Sequence, residues 1–405
     1  LVRSGRIHQL VKNADAFGTR TGTVTLDWDA VIRRQRAIVR ALQPAPDALE
    51  RTGARVYLAE ARFVDPHTLQ VNGREVRGEK IVIAAGSEPV VPPLPGRELA
   101  ITSDQILFLP RFPESLILVG AGVVGLEMAG AFSDLGSRVT VIGQDREILP
   151  ALDADVAAYI RKILEDKGVT FHLESTVERL SGRPGAVTLH LTKGGAPLAV
   201  EAAQVCLAVG RRFRPQRLGA DALGLKMGRL GLEVTPYLRT SIPHVYAAGD
   251  AAGNQQLTPV AAYEGKLAAR NALQGDVEET DYSVVPQTIF TTPEVARVGL
   301  THREALHRNV PCHVATHDLR GASNGRATGE DGGYLKLVFD GRTERLLGAQ
   351  MVSYAAAELV QLAALAMRTG ADAGLLSRQL SIHPSHGERL IKIFGHDYHD
   401  VCELA

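Results

Sequence analysis

Gly120-Ala-Gly122-Val123-Val124-Gly125 follows an apolar run, Leu116 to Val119, and opens a helix-like stretch, Leu126 to Leu135. A second apolar run, Arg138 to Ile142, comes next. Glycines at this spacing between strand and helix have separate physical tasks. The first permits a tight turn, the second lets backbone approach a pyrophosphate, and the third lets the helix pack closely on the strand. The helix start adds unpaired N–H groups and a partial positive charge. The glycine spacing alone would serve ordinary turns. In this context it reads as a dinucleotide-binding turn. Its unit spans residues 106–235 and continues through a helix from about Asp153 to Lys167 and strands at Val187 to Leu191 and Val205 to Val209. That is the order of a doubly wound sheet. The residues before it do not form such a unit, so a different element comes first.

Outward from this unit, residues 1–45 read as mainly helical. Trp28-Asp-Ala-Val-Ile32, Ala37-Ile-Val39 and Leu42 make an apolar stripe at helical spacing, which Pro44 and Pro46 end. Residues 54–85 read as strands: Val56 to Leu58, Phe63-Val64, Leu69 to Val71 and Lys80 to Ala84, divided by Asp65-Pro66 and Asn72-Gly73 turns. A connector rich in glycine and proline follows, from Ala85-Gly86 to Pro95-Gly96, and marks a domain boundary. Residues 240–275 carry an apolar strand, a glycine turn and an Ala-rich helix, Val260 to Leu273. Residues 285–405 alternate strands (Tyr334 to Phe339, Leu346 to Val352) with helices (Ala355 to Thr369, Glu388 to Phe394), an α+β pattern. The expected division is 1–105, 106–235, 236–284 and 285–405.

The chain has 405 residues, 45 basic and 45 acidic, so nothing in its charge suggests a nucleic-acid surface. No apolar run approaches the roughly 18 residues of a membrane span. The first residues, Leu-Val-Arg-Ser-Gly-Arg, lack the apolar core of a signal peptide. They also lack an initiating Met, which suggests a fragment. Cys206, Cys312 and Cys402 are too few and too scattered for a disulfide framework, and a reducing, cytoplasmic setting is expected.

Two further stretches carry chemistry. In Thr240-Ser-Ile-Pro-His-Val-Tyr-Ala-Ala-Gly249-Asp250 an apolar strand ends in small residues, a glycine and a carboxylate. Small residues let a flat cofactor reach the backbone, and the Asp accepts hydrogen bonds from sugar-like hydroxyls. A turn-capping Asp is the plainer alternative. In His383-Pro-Ser-His-Gly-Glu388 a histidine held by a carboxylate keeps one tautomer and suits proton transfer near neutral pH. The plainer alternative is a loop with a Glu in the next helix's first turn. His383, His386, His396 and His399 also form two His-x-x-His pairs with zinc-like spacing. No metal is expected there, because the surrounding residues follow a pattern without one.

That pattern resembles the FAD-dependent pyridine nucleotide–disulfide oxidoreductases, a family that includes dihydrolipoamide dehydrogenase, glutathione reductase, mercuric reductase and the soluble transhydrogenase. The resemblance runs along the whole chain. It rests on IVIAAGSEPVVPPLPG (81–96), GAGVVGLE (120–127), the strand to Asp250, Leu257-Thr-Pro-Val-Ala261, Pro286 to Leu300, and the His383 to Glu388 stretch. It implies two Rossmann-like α/β domains, the first discontinuous and truncated, and a C-terminal α+β dimerisation domain. FAD and NAD(P) are the implied cofactors, and a homodimer with a small-molecule or lipoyl-type disulfide substrate is the implied assembly. Gly249 and Asp250 would hold the ribityl chain, with Leu257, Thr258 and Ala261 along the isoalloxazine and Ala85-Gly86 in the connector. Gly120, Gly122, Val123, Val124 and Gly125 would seat the nicotinamide dinucleotide, with Glu127 near its nicotinamide end. His383 would be the acid/base, reaching the partner's dithiol, and Glu388 its orienter.

The chain departs from the family in three places. The first flavin turn and the redox-active Cys-x4-Cys are absent, so roughly 40 to 50 residues are expected to be missing, given about 30 for a first βαβ unit. Gly143 stands where an acidic residue marks NAD specificity, and Arg146 follows Asp145, so the choice between NAD and NADP stays open. The turn at Gly210-Arg-Arg-Phe-Arg-Pro215 has its proline displaced. The expected activity is FAD-dependent NAD(P)H oxidoreduction with a disulfide or dithiol substrate. The alternatives are a dithiol-independent transhydrogenase or quinone reductase, or a non-catalytic remnant.

Overall fold

Five strands pair in parallel in the order Ala100–Thr102, Gln204–Leu207, Ser115–Val119, Arg138–Ile142 and Thr170–His172. Such strands are buried on both faces and so read as continuous apolar runs. Leu116, Ile117 and Leu118 are all fully buried. Ile117 and Val119 pack with Leu180, Val187, Leu189 and Leu191 of an antiparallel meander, Ser175–Arg183, Ala186–Lys193 and Ala196–Ala202. Only the middle strand of this meander was legible in the sequence. The helix Val123–Asp134 also packs on the parallel sheet.

This computed structural model describes residues 1–43, 46–395 and 400–401. The chain divides into two compact units. One comprises Leu1–Val31, Val91–Val209 and the described residues from Ser283 on; the other comprises Ile32–Val90 and Gly210–Tyr282.

The first unit also holds an antiparallel sheet in the order Gln287–Ile289, Glu294–Gly299, Leu346–Ser353, Tyr334–Asp340, Cys312–Asp318 and Asp400–Val401. Leu335, Leu337, Phe339 and Met351 on this sheet pack with Leu359 and Val360 of the helix Ala356–Thr369 and with Leu390 and Phe394 of the helix His386–Phe394. The N-terminal helix Val2–Lys12 lies on the helix Val123–Asp134. A Cβ at Gly5 would stand 2.9 Å from Asp134 Cβ, so the approach needs glycine. Trp28 donates its indole N–H to the Leu109 carbonyl at 2.9 Å.

A buried polar seam ties the helix Ala154–Asp166 to the antiparallel sheet. Asp153 precedes that helix and accepts the backbone N–H groups of His302 and Arg303, both at 3.0 Å, and the Gln350 amide at 2.5 Å. Lys336 Nζ lies 3.3 Å from Asp153 and 2.9 Å from Asp155. Burial pushes the Asp153 carboxyl up, but the Arg303 N–H, the Lys336 charge, the Gln350 amide and the His302 N–H together hold it below the usual range. Breaking a buried pair from one side strands the other charge. Lys336→Met is therefore expected to destabilise the first unit by about 3–5 kcal/mol, read as a lower urea midpoint.

The second unit contains a three-stranded antiparallel sheet, Ala61–Asp65, Thr68–Val71 and Arg74–Arg77. Asn72 (φ 49°) and Gly73 (φ 74°) make the expected hairpin turn, both left-handed as a twist-compatible two-residue turn demands. Val56 to Leu58 do not form a strand, contrary to expectation. Tyr57 and Leu58 are exposed, so no second layer rewards pairing there. Ile81–Ile83 runs parallel to Val245–Ala247, and Glu88–Pro89 runs antiparallel to Arg211–Arg212. Ile83, Val245 and Ala247 share a core with Phe63 and Phe213, and the helix Thr258–Gln274 follows.

Candidate active site

In the first unit the glycine turn sits between the strand Ser115–Val119 and the helix Val123–Asp134. Gly120 has φ 122°, and a Cβ there would lie 2.3 Å from the Ala208 carbonyl oxygen. A Cβ on Gly125 would lie 1.9 Å from the Gly120 carbonyl oxygen, so only glycine lets the helix start fold down over the turn. Gly122 is different. It is the N-cap, its φ is −88°, and nothing lies within 4 Å of a Cβ built there. The helix start therefore offers backbone N–H groups beside open space, which fits a pyrophosphate of NAD(P). Val123 is exposed and Val124 half-buried.

Gly143 directly follows the strand Arg138–Ile142. A side chain there would meet Leu173 Cδ2 at 2.7 Å and Ala121 Cβ at 3.1 Å, so an acid at this position requires Leu173 to move. Gln144, Asp145 and Arg146 beyond it are exposed. Glu127, on the helix after the turn, accepts the Phe290 N–H at 2.9 Å; burial pushes its carboxyl up against that bond.

In the second unit the strand Val245–Ala247 runs into Gly249, which has φ 64° and would bring a Cβ within 3.0 Å of Ala261 Cβ. The Gly249 N–H is held by Glu264, a fully buried carboxylate on the helix Thr258–Gln274, at 2.6 Å. Glu264 also accepts Asn254 at 3.2 Å and the Tyr282 hydroxyl at 2.5 Å. Asp250 Oδ2 accepts the Ser87 hydroxyl at 2.5 Å, and Arg211 Nε donates to that hydroxyl at 3.0 Å. The connector and the Gly210 turn thus meet at Asp250: Val90 N–H bonds the Gly210 carbonyl at 2.9 Å, and Gly86 (φ 71°) and Gly210 (φ 114°) supply the bends. Ala85 and Thr258 are exposed and Leu257 is half-buried. A left-handed glycine, a fixed carboxylate and a small-residue strand end fit the sugar and ring of a flavin dinucleotide. Asp250→Ala is expected to weaken FAD retention about 10–100-fold, the range for one charge-assisted hydrogen bond, measured by fluorescence titration.

The third cluster lies near the C-terminus of the first unit. His383 Nδ1 is 2.8 Å from Glu388 Oε2, with the imidazole largely exposed and the carboxylate buried. Ser385 caps the helix His386–Phe394 by accepting the Glu388 N–H at 3.1 Å. Glu388 is thus a first-turn residue, as the plainer reading held, and its carboxylate also holds His383. Burial pushes the Glu388 carboxyl up; the His383 hydrogen bond and the Lys392, His383 and Arg389 charges outweigh it and hold the carboxyl below its usual range. His386 is engaged elsewhere, with Nδ1 3.0 Å from Asn324 Nδ2. Among the described residues no group of three or more His, Cys, Asp or Glu is arranged to hold a metal. His396 and His399 lie outside the described residues. So does Cys402. Cys206 is fully buried, and burial pushes its thiol up to about 12.

Sequence reading missed Ser87, Arg211 and Glu264. Ser87 and Arg211 stood inside motifs already singled out. Glu264 sits on an Ala-rich helix with no spacing signal and gains its role only from the fold.

Comparison with known proteins shows the family of this chain. The family model of the pyridine nucleotide-disulphide oxidoreductases matches residues 11–265, and that of their dimerisation domain matches residues 285–393. A mercuric reductase of Bacillus cereus is 30% identical over 96% of this chain; the chain spans 63% of that protein. A dihydrolipoyl dehydrogenase of Bacillus subtilis (strain 168) is 31% identical over 96% of this chain and 86% of its own length. The HOCl-induced flavoprotein disulfide reductase RclA from Escherichia coli superposes with a TM-score of 0.83 at 29% identity, over 96% of this chain and 88% of that one. The chain belongs to the pyridine nucleotide–disulphide oxidoreductase family, whose members are oxidoreductases using FAD and NAD(P)H. Among the described residues no helix is long and apolar enough to cross a membrane.

Proposed function

We propose that this chain is an FAD-dependent NAD(P)H oxidoreductase acting on a disulfide or dithiol, in the manner of dihydrolipoamide dehydrogenase. The observation that carries this reading is the presence in one chain of two dinucleotide-type sites, the Gly120–Gly125 helix start and the Gly249–Asp250 loop, and of the His383–Glu388 pair. When bound, the two cofactors supply hydride transfer between nicotinamide and flavin. The helix start at Val123 orients the NAD(P) phosphates, and Asp250, fixed by Ser87, orients the flavin sugar. Leu257, Thr258 and Ala261 would line the flavin ring, and Glu127 would take the nicotinamide end.

Glu388 accepts from His383 Nδ1, which leaves Nε2 as the atom that takes and returns a thiol proton. We further propose a homodimer through residues 285–405, a flavin domain formed by 1–105 and 236–284, a nicotinamide domain at 106–235, and a reducing cytoplasmic setting. Gel filtration of the protein after incubation with FAD tests the reading. Retention of a flavin absorbance band is expected, and a colourless protein overturns it.

A second reading is a thiol-independent flavoprotein, such as a quinone reductase or transhydrogenase, which predicts NAD(P)H oxidation by quinone that is indifferent to substitution of His383.

A further inference from the structure

The surroundings of Glu388 point beyond the two residues already assigned. Its carboxylate is 3% exposed, whereas the imidazole it holds is 65% exposed. A carboxylate this deep needs compensation on both oxygens. Oε2 faces His383 Nδ1 at 2.8 Å and Lys392 Nζ at 3.6 Å. Oε1 has Arg389 Nε at 3.5 Å as an ion-pair contact, not a hydrogen bond, and accepts the Ser323 hydroxyl at 3.5 Å. Arg389 Nη2 in turn donates to that hydroxyl at 2.9 Å. Lys392 is half exposed, so water screens it; Arg389 is 16% exposed and is the less screened cation.

We propose that Arg389 and Ser323 are positioning residues for the His383–Glu388 pair, gripping the carboxylate oxygen that the imidazole does not use. A carboxylate held through one oxygen swings about its terminal bond, and a hydrogen bond to an exposed imidazole is too weak to stop it. Held through both, its plane is fixed and so is the direction of Oε2. Ser323 opens the helix Ser323–Thr328 in a different segment of the fold, so the grip also locks the helix His386–Phe394 against that segment. A carboxylate only accepts. The fixed Oε2 therefore selects the imidazole with hydrogen on Nδ1 and leaves Nε2 bare. This inference rests on the proposed acid/base role of His383, but its geometry is tested without turnover.

The test is nitrogen-15 NMR of the full chain, with the His383 imidazole assigned by its loss in His383→Gln. Wild type is expected to show the Nδ1–H tautomer when neutral. In Arg389→Met the Nδ1–H to Nε2–H ratio is expected to fall about fivefold, the factor that loss of a single ion-pair contact produces. Arg389→Lys, which keeps the charge, is expected to restore most of it. Ser323→Ala removes only a hydroxyl and provides the same reading if Arg389→Met does not fold; a partial fall is expected. A folded Arg389→Met or Ser323→Ala with an unchanged His383 tautomer overturns the proposal. Should the tautomer shift as expected while the wild type fails to retain FAD, the proposed function falls and the positioning role stands.

Discussion

Replacing His383 with glutamine is expected to slow NAD(P)-linked dithiol turnover by about 10²–10⁴-fold, the usual contribution of a positioned general acid/base. The expectation follows from geometry. Nδ1 is committed to Glu388 at 2.8 Å, and the largely exposed ring presents Nε2 outward. Glutamine matches the size of the side chain but cannot take up a proton. Glu388→Gln should give a smaller loss, because the amide oxygen still accepts from Nδ1 while the charge that supports an imidazolium is gone. Steady-state assay with a lipoyl-type dithiol checks both. Electron transfer from NAD(P)H to a quinone needs no thiol proton and separates loss of the base from loss of the fold.

Gly125→Val is expected to weaken NAD(P)H binding on the order of 100-fold, measured by calorimetric titration. The Gly125 Cβ would stand 1.9 Å from a carbonyl oxygen, which cannot rotate away as a side chain can. The helix start must lift, and its N–H groups lose their aim at the pyrophosphate. Each charge-assisted hydrogen bond lost costs about 1.5–3 kcal/mol, and tenfold in affinity corresponds to about 1.4 kcal/mol. Gly122→Ala should be milder, because a methyl there meets no protein atom within 4 Å. A similar loss in the two variants would mean that the clash is not what governs the site.

The fingerprint unit was legible because its signals are local. An apolar strand, a glycine turn and a largely apolar helix lie within one short stretch, and a parallel strand buried on both faces is apolar throughout. The Gly249–Asp250 loop and the His383–Glu388 pair were legible as residue types, since each pair lies close in sequence. The meander was read only at Val187 to Leu191, within the strand Ala186–Lys193. Its outer strands, Ser175–Arg183 with charges and Gly182 and Ala196–Ala202 with Pro197 and Glu201, have few buried positions and are strands mainly because the central one pairs with them. The misread run Val56 to Leu58 is the converse, with apolar residues and no partner strand. Glu264, Ser87 and Arg211 were invisible as a set because they converge on one loop from sequence positions far apart. The Asp153–Lys336–Gln350 seam is of the same kind.

Gly143 takes the place of the usual acid, and crowding by Leu173 and Ala121 explains why a glycine suits this position. Asp145 and Arg146 beyond it are exposed and carry opposite charges side by side.

An FAD-dependent NAD(P)H oxidoreductase must reduce its own flavin with a nicotinamide nucleotide. Anaerobic titration of the FAD-loaded protein with NADH and with NADPH, followed through the flavin absorbance band, tests it most directly. Stoichiometric bleaching by at least one nucleotide, lost in Gly125→Val, is the expected result. A flavin-loaded protein whose band is unchanged by either nucleotide would contradict it.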